Sequence, residues 1–237
     1  MSWLLLSPII VCSVIVLVVH RQRTITFLKH AGVIGLASGV ARMWFARENG
    51  DPNASLVFLE YGSLAWLTAL AGLSLAAHLQ IPSFVVKQSI LKQSVYTALF
   101  ALAVVALNSI MLLQTAKAGA LPQWLRSISS ISHLSAVALQ AGLVEETIFR
   151  LFLLPLVIWI LVLLGWKTQR PHVRQLLAVL VAAIFFGLMH GQGFAGAFIF
   201  GIAFGYFFLH FGWLPCVVVH VLGDFIPFLI LLRLNET

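Results

Sequence analysis

Acidic side chains number only 7 in this chain of 237 residues, and cysteines only 2. Charged residues of both signs make up 9%, far below the roughly 25% of soluble domains. That scarcity excludes a soluble globular fold. Cys12 and Cys216 both lie inside apolar runs, so a disulfide framework or a cysteine-based metal site is not expected. They read as small apolar packing residues. The formal charge of +7 does not indicate a nucleic-acid partner, because no run of Lys and Arg with interleaved aromatics occurs. The bases fall between apolar runs instead: Arg21, Arg23 and Lys29; Lys87 and Lys92; Lys167, Arg170 and Arg174. Such placement suits loops that face anionic lipid headgroups.

What the chain does have is hydrophobic length. Hydrophobic residues make up 61%. Apolar segments fall at about 3–19, 31–46, 55–78, 94–116, 130–148, 151–166, 175–190, 194–210 and 213–232, close to the roughly 20 residues that a membrane span needs. A β-barrel would alternate in short segments, whereas these runs are continuous. The expectation is an all-α, polytopic transmembrane helix bundle of about eight spans. It is an integral, multi-pass protein with the lipid bilayer as its surroundings, the cell membrane in a bacterial host. The pair 130–148 and 151–166 reads either as one long helix broken near Arg150 and Pro155 or as two elements. Residues 3–19 lack a positive leader and a small-residue cleavage site. They are read as a first span entering from outside, anchored by His20, Arg21 and Arg23. The turn-rich loop 47–54 suits the outside and the basic loop 167–174 the inside.

Ionisable groups inside apolar segments are costly, about 2.5–3.5 kcal/mol each at a helix centre, and they concentrate in the second half. Arg42 and Glu60 lie near span ends and read as structural, snorkelling residues. Glu145 and Glu146 are consecutive and so point about 100° apart on an α-helix. Arg150 stands four residues after Glu146, the spacing and order that favour an ion pair. Glu145 is then left without a local cation. Held away from water, it becomes a candidate general base. The alternative for this stretch is a structural Glu–Arg clamp.

His190 ends Phe186-Gly-Leu-Met-His190 among Gly187, Gly191 and Gly193. His220 and Asp224 share one helical face at i,i+4. Each feature alone also fits an interfacial or self-satisfied polar group. Together, a base, two imidazoles and a further carboxyl form the inventory for hydrolysing an amide. Ala197, Gly201 and Gly205 form a ladder of small residues that allows close helix approach.

Glu145-Glu146-x-x-x-Arg150, then Phe186-x-x-x-His190, then His220-x-x-x-Asp224, with Gly212-Trp-Leu before His220, resembles the CPBP family of CAAX proteases and bacteriocin-processing enzymes, also called Abi. The resemblance covers roughly 140–226. It implies a glutamate-type intramembrane endopeptidase acting on a membrane-associated peptide or protein, without metal or other cofactor. Glu145 and His190 would activate water, His220 and Asp224 would form the oxyanion side, and Glu146 and Arg150 would support the first glutamate. It divides the chain into N-terminal transmembrane helices, 1–127, and a catalytic transmembrane core, 128–237.

Two positions depart from the family pattern. The last motif often ends in Asn, where this chain has Asp224, and an ionised carboxylate cannot donate to an oxyanion. The arginine is commonly followed by Gly, where this chain has Leu151, which lets the helix run on toward Pro155. The competing readings are a zinc peptidase using Glu145, His190 and His220, and a non-catalytic membrane scaffold or transporter with a polar relay. Geometry adds a constraint. If 175–190, 194–210 and 213–232 are simple full spans, His190 and His220 differ in depth by roughly 10–15 Å. A shared site therefore predicts a tilted, short or broken helix among them.

Overall fold

Backbone groups in lipid must be satisfied within the segment, and long apolar runs with few breakers therefore become helices. A computed structural model describes residues 3–83, 89–166 and 171–235, and among these no strand occurs. The helices are α1 (Trp3–Val19), α2 (Arg21–Glu48), α3 (Ala54–Leu79), α4 (Ile90–Lys117), the single turn α5 (Gln123–Arg126), α6 (Ile131–Gln140), a π segment (Ala141–Leu153), α7 (Leu154–Leu163), α8 (Pro171–Met189), α9 (Phe194–Phe211) and α10 (Trp213–Asn235). Lys87, Lys167 and Arg170, assigned above to basic loops, lie outside the described residues.

Seven helices are long and apolar enough to cross a membrane, and an eighth apolar stretch, Ser7–Val19, is shorter. The chain is an all-helical, integral multi-pass membrane protein. The doubtful pair resolves as one helix: Ile131–Leu163 runs for 33 residues without a break at Arg150. Its irregularity is the 13-residue π segment. Pro155 stands where the α pattern resumes, and having no N–H it withholds one donor from the helix there. Hydrogen bonds of the wider type are rare and recur at functional sites.

The π segment is the centre of the bundle. It packs on α3, α10 and α6, and Glu146, Thr147, Phe149, Arg150, Leu151 and Phe152 are all buried. Missing side chains permit these approaches. A Cβ at Gly72 of α3 would run into the Leu151 carbonyl, and one at Gly142 would lie 2.6 Å from Val221 Cγ2 of α10. The small-residue ladder of α9 seats against α8, where Gly201 faces Ala183 and Gly205 faces Val179. Cys216 is buried and Cys12 half-buried; both are free thiols.

Helices α8, α9 and α10 are each continuous, and a 3-10 turn, Gly191–Gly193, joins α8 to α9. α10 leaves α9 after the Gly212 turn and packs mainly on α4 and the π segment. His220 of α10 packs on Phe186 of α8 and Phe204 of α9 while reaching the glutamates of the π segment.

Candidate active site

Glu145 and Glu146 face different surroundings, as their adjacency requires. Glu146 is sealed in the bundle with 0% side-chain exposure, and Arg150 beside it has 2%. The Arg150 Nη1 stands 3.3 Å from Glu146 Oε1. The guanidinium also lies over the Phe186 ring, 4.2 Å from its centroid, with Phe204 at 5.4 Å. Weakly hydrated and planar, a guanidinium tolerates such an aromatic bed.

The same Glu146 Oε1 takes a second partner, His220 Nδ1, at 2.7 Å. The support expected from Glu146 and Arg150 thus runs directly to an imidazole, as well as to the helix that carries Glu145. With Nδ1 occupied, His220 presents Nε2 to the other side. There it lies 3.9 Å from Glu145 Oε2 and 3.5 Å from Asp224 Oδ2.

His190 is set by a local bond. It sits just past the end of α8, and its Nδ1 donates to the Phe186 carbonyl at 2.7 Å. A carbonyl only accepts, so the proton of the neutral ring resides on Nδ1, and Nε2 carries the lone pair. That Nε2 lies 3.8 Å from Glu145 Oε2. The phenylalanine of Phe-x-x-x-His therefore has two parts: its carbonyl orients His190, and its ring packs on both Arg150 and His190.

All six residues singled out in the sequence meet in one place. The two imidazole Nε2 atoms each lie under 4 Å from the same Glu145 oxygen. The depth problem is met by the path of α10. Exposure grades across the site: Glu145 16%, Asp224 22% and His190 36%, against nearly nothing for Glu146 and Arg150. Among the described residues, no group of three His, Cys, Asp or Glu side chains is disposed to hold a metal ion.

A cavity of about 710 Å³ opens onto Glu145, His190, His220 and Asp224. Its walls come from α4, α6, α9, α10 and the turn after His190. Asn108, Thr115, Gln140 and Gln192 add polar groups to the wall that the sequence did not single out. Asn108 of α4 donates from Nδ2 to the Gly223 carbonyl at 2.8 Å. Gln140 at the end of α6 accepts from Arg42 at 2.8 Å. Arg42 lies over the Phe45 and Tyr61 rings, so it is anchored within the bundle and holds a wall residue in place. The only sequence signal for Asn108 is a carboxamide inside an apolar run that also holds Gln114.

Residues 127–226 match the model of the family described as Rce1-like, type II CAAX prenyl endopeptidase. Over this segment, the resemblance drawn from the three motifs is borne out. The match supports a membrane endopeptidase in general terms, acting in the bilayer on a peptide or protein. No curated protein and no solved structure matches the chain.

Proposed function

We propose that the protein is an intramembrane endopeptidase that hydrolyses a peptide bond with water activated by Glu145 and His190. The observation that carries this reading is the convergence of His190 Nε2 and His220 Nε2 on Glu145 Oε2, at 3.8 and 3.9 Å, on a cavity wall. These separations exceed hydrogen-bond length, and one water spans such a gap. Glu145 takes a proton from that water as its oxygen adds to the scissile carbonyl carbon. The His190 lone pair accepts the water's other hydrogen bond and aims the attacking oxygen. The carbonyl oxygen becomes an oxyanion. When the tetrahedral species collapses, the C–N bond breaks, and the proton held by Glu145 passes to the leaving amine.

His220 serves the oxyanion. Its Nδ1 donates to Glu146, and as an imidazolium it donates from Nε2 as well. Glu146 at Nδ1 orients the ring, and Asp224 Oδ2, 3.5 Å from Nε2, balances its charge, a role open to a carboxylate. The substrate class is a prenylated CAAX tail, carried over from the matched family's description.

The test compares membranes containing the wild type with membranes containing Glu145→Ala, by peptide mapping. A quenched prenylated CAAX peptide and its unprenylated twin are run in parallel with the reconstituted protein. A product that appears only with the wild type supports the reading. Equal products with both proteins overturn it in favour of the scaffold or transporter. Activity lost to a chelator and restored by zinc would reassign the site to a zinc peptidase.

A further inference from the structure

Asn108 sits in the middle of α4 (Ile90–Lys117), outside the segment that matches the family. Its side chain bonds an unusual partner: a backbone carbonyl inside another helix, Gly223 of α10. A helical carbonyl at position 223 would ordinarily accept from the N–H at position 227. Position 227 is Pro227, inside α10, and proline has no N–H. The Gly223 carbonyl is therefore deprived of its helical donor by the sequence of its own helix, and Asn108 supplies one from across the interface. In an apolar interior, an unpaired carbonyl is too costly to leave.

The two helices also approach tightly at this spot. A Cβ on Gly223 would meet Val104 Cγ1 of α4 at 2.6 Å. Glycine at 223 admits Val104, proline at 227 frees the carbonyl, and Asn108, one turn after Val104, closes the bond. Three side-chain choices on two helices thus fix one contact. Gly223 directly precedes Asp224 and follows His220 by three residues, and all three line the cavity.

We propose that Asn108 is a positioning residue for the site: by bonding the Gly223 carbonyl that Pro227 leaves unpaired, it sets the depth and rotation of the α10 face that carries His220 and Asp224. This rests on the proteolytic reading above. Asn108 is not assigned contact with the scissile bond. It acts through α10, and a helix shift of about 1 Å at reacting groups is enough to cost up to a hundredfold in rate.

The experiment is a double-mutant cycle on full-length protein in proteoliposomes, read with the quenched prenylated CAAX peptide. Asn108→Ala should lower kcat about tenfold or more and leave KM within about twofold. Pro227→Ala returns an N–H to position 227 and makes the carboxamide dispensable. In that background, Asn108→Ala should cost less than about threefold in kcat. An equal loss in both backgrounds, no loss in either, or a loss confined to KM overturns the proposal. The last outcome would make Asn108 a substrate contact.

Hydrogen–deuterium exchange over 219–226 supplies the readout that needs no activity. Asn108→Ala should speed exchange there in the parent and much less in the Pro227→Ala background. Unchanged exchange in both overturns the proposal even if the peptide is not cleaved. If Glu145→Ala cleaves as the wild type does, the proteolytic reading and the site role of Asn108 fall together. If Glu145→Ala is inactive and the cycle shows no coupling, only the inference falls.

Discussion

The site has a dry end and a wet end, and they divide its labour. At the dry end, Glu146 ties Arg150 and His220 Nδ1 together with essentially no solvent contact. At the wet end, Glu145, His190 and Asp224 face a cavity of about 710 Å³ with their reactive atoms spaced for a small molecule. Two adjacent glutamates of identical chemistry thus meet opposite surroundings. Each keeps its Oε2 without a direct hydrogen bond. Glu146 is sealed beside Arg150 and His220, whereas Glu145 lines the cavity. Position on the helix circumference makes the difference.

The strongest way to break this contrast is at the wet end. Glu145→Gln should abolish measurable cleavage, a loss of about 10²–10⁴-fold or greater, with thermal stability in detergent little changed. A cleavage assay paired with a melting curve checks both halves. An enzyme that stays active, or one that simply unfolds, erases the distinction.

Next comes the dry end. Glu146→Gln leaves the Arg150 cation without its acid, and removing one partner of a buried pair costs about 3–5 kcal/mol. The melting temperature should fall markedly, and cleavage should fall with it as His220 loses its anchor. Thermal unfolding monitored by fluorescence decides whether the stability loss exceeds that of Glu145→Gln, as the contrast requires.

A smaller effect tests how far the dry packing sets the wet geometry. Gly142→Ala pushes against Val221 and the Val217 carbonyl of α10, and overpacking of this kind costs about 1–3 kcal/mol. It should lower kcat more than KM, because it moves His220 away from Glu145. Steady-state kinetics on the prenylated peptide reads that split. The mildest change is Asp224→Asn. The side chain is partly exposed, so stability should shift by less than about 0.5 kcal/mol. Cleavage should fall less than tenfold, since Glu146 still orients the His220 ring.

Much of this was legible along the chain. Continuous apolar runs announce helices because lipid leaves the backbone few alternatives, and charges inside them announce the site because they are expensive there. Glu145, Glu146, Arg150, His190, His220 and Asp224 were visible for that reason. Asn108 was not, since an uncharged carboxamide in a helix that also holds Gln93 and Gln114 does not stand out. The π segment was also hidden. Its 13 residues have no local signature that separates the wider turn from an α-helix, and only the packing of α3, α6 and α10 around it gives it a reason.

By itself, the sequence determined the membrane class, the helical state and the six groups of the candidate site, because hydropathy and the cost of buried charge are local properties. Only the tertiary structure decided that Glu146 rather than Glu145 would take His220 Nδ1, that α10 would swing from α9 to the π segment, and that Asn108 would answer for Pro227. The two hydrogen bonds among them join residues 74 and 115 positions apart, and contacts of that range depend on how whole helices cross, which no local pattern encodes.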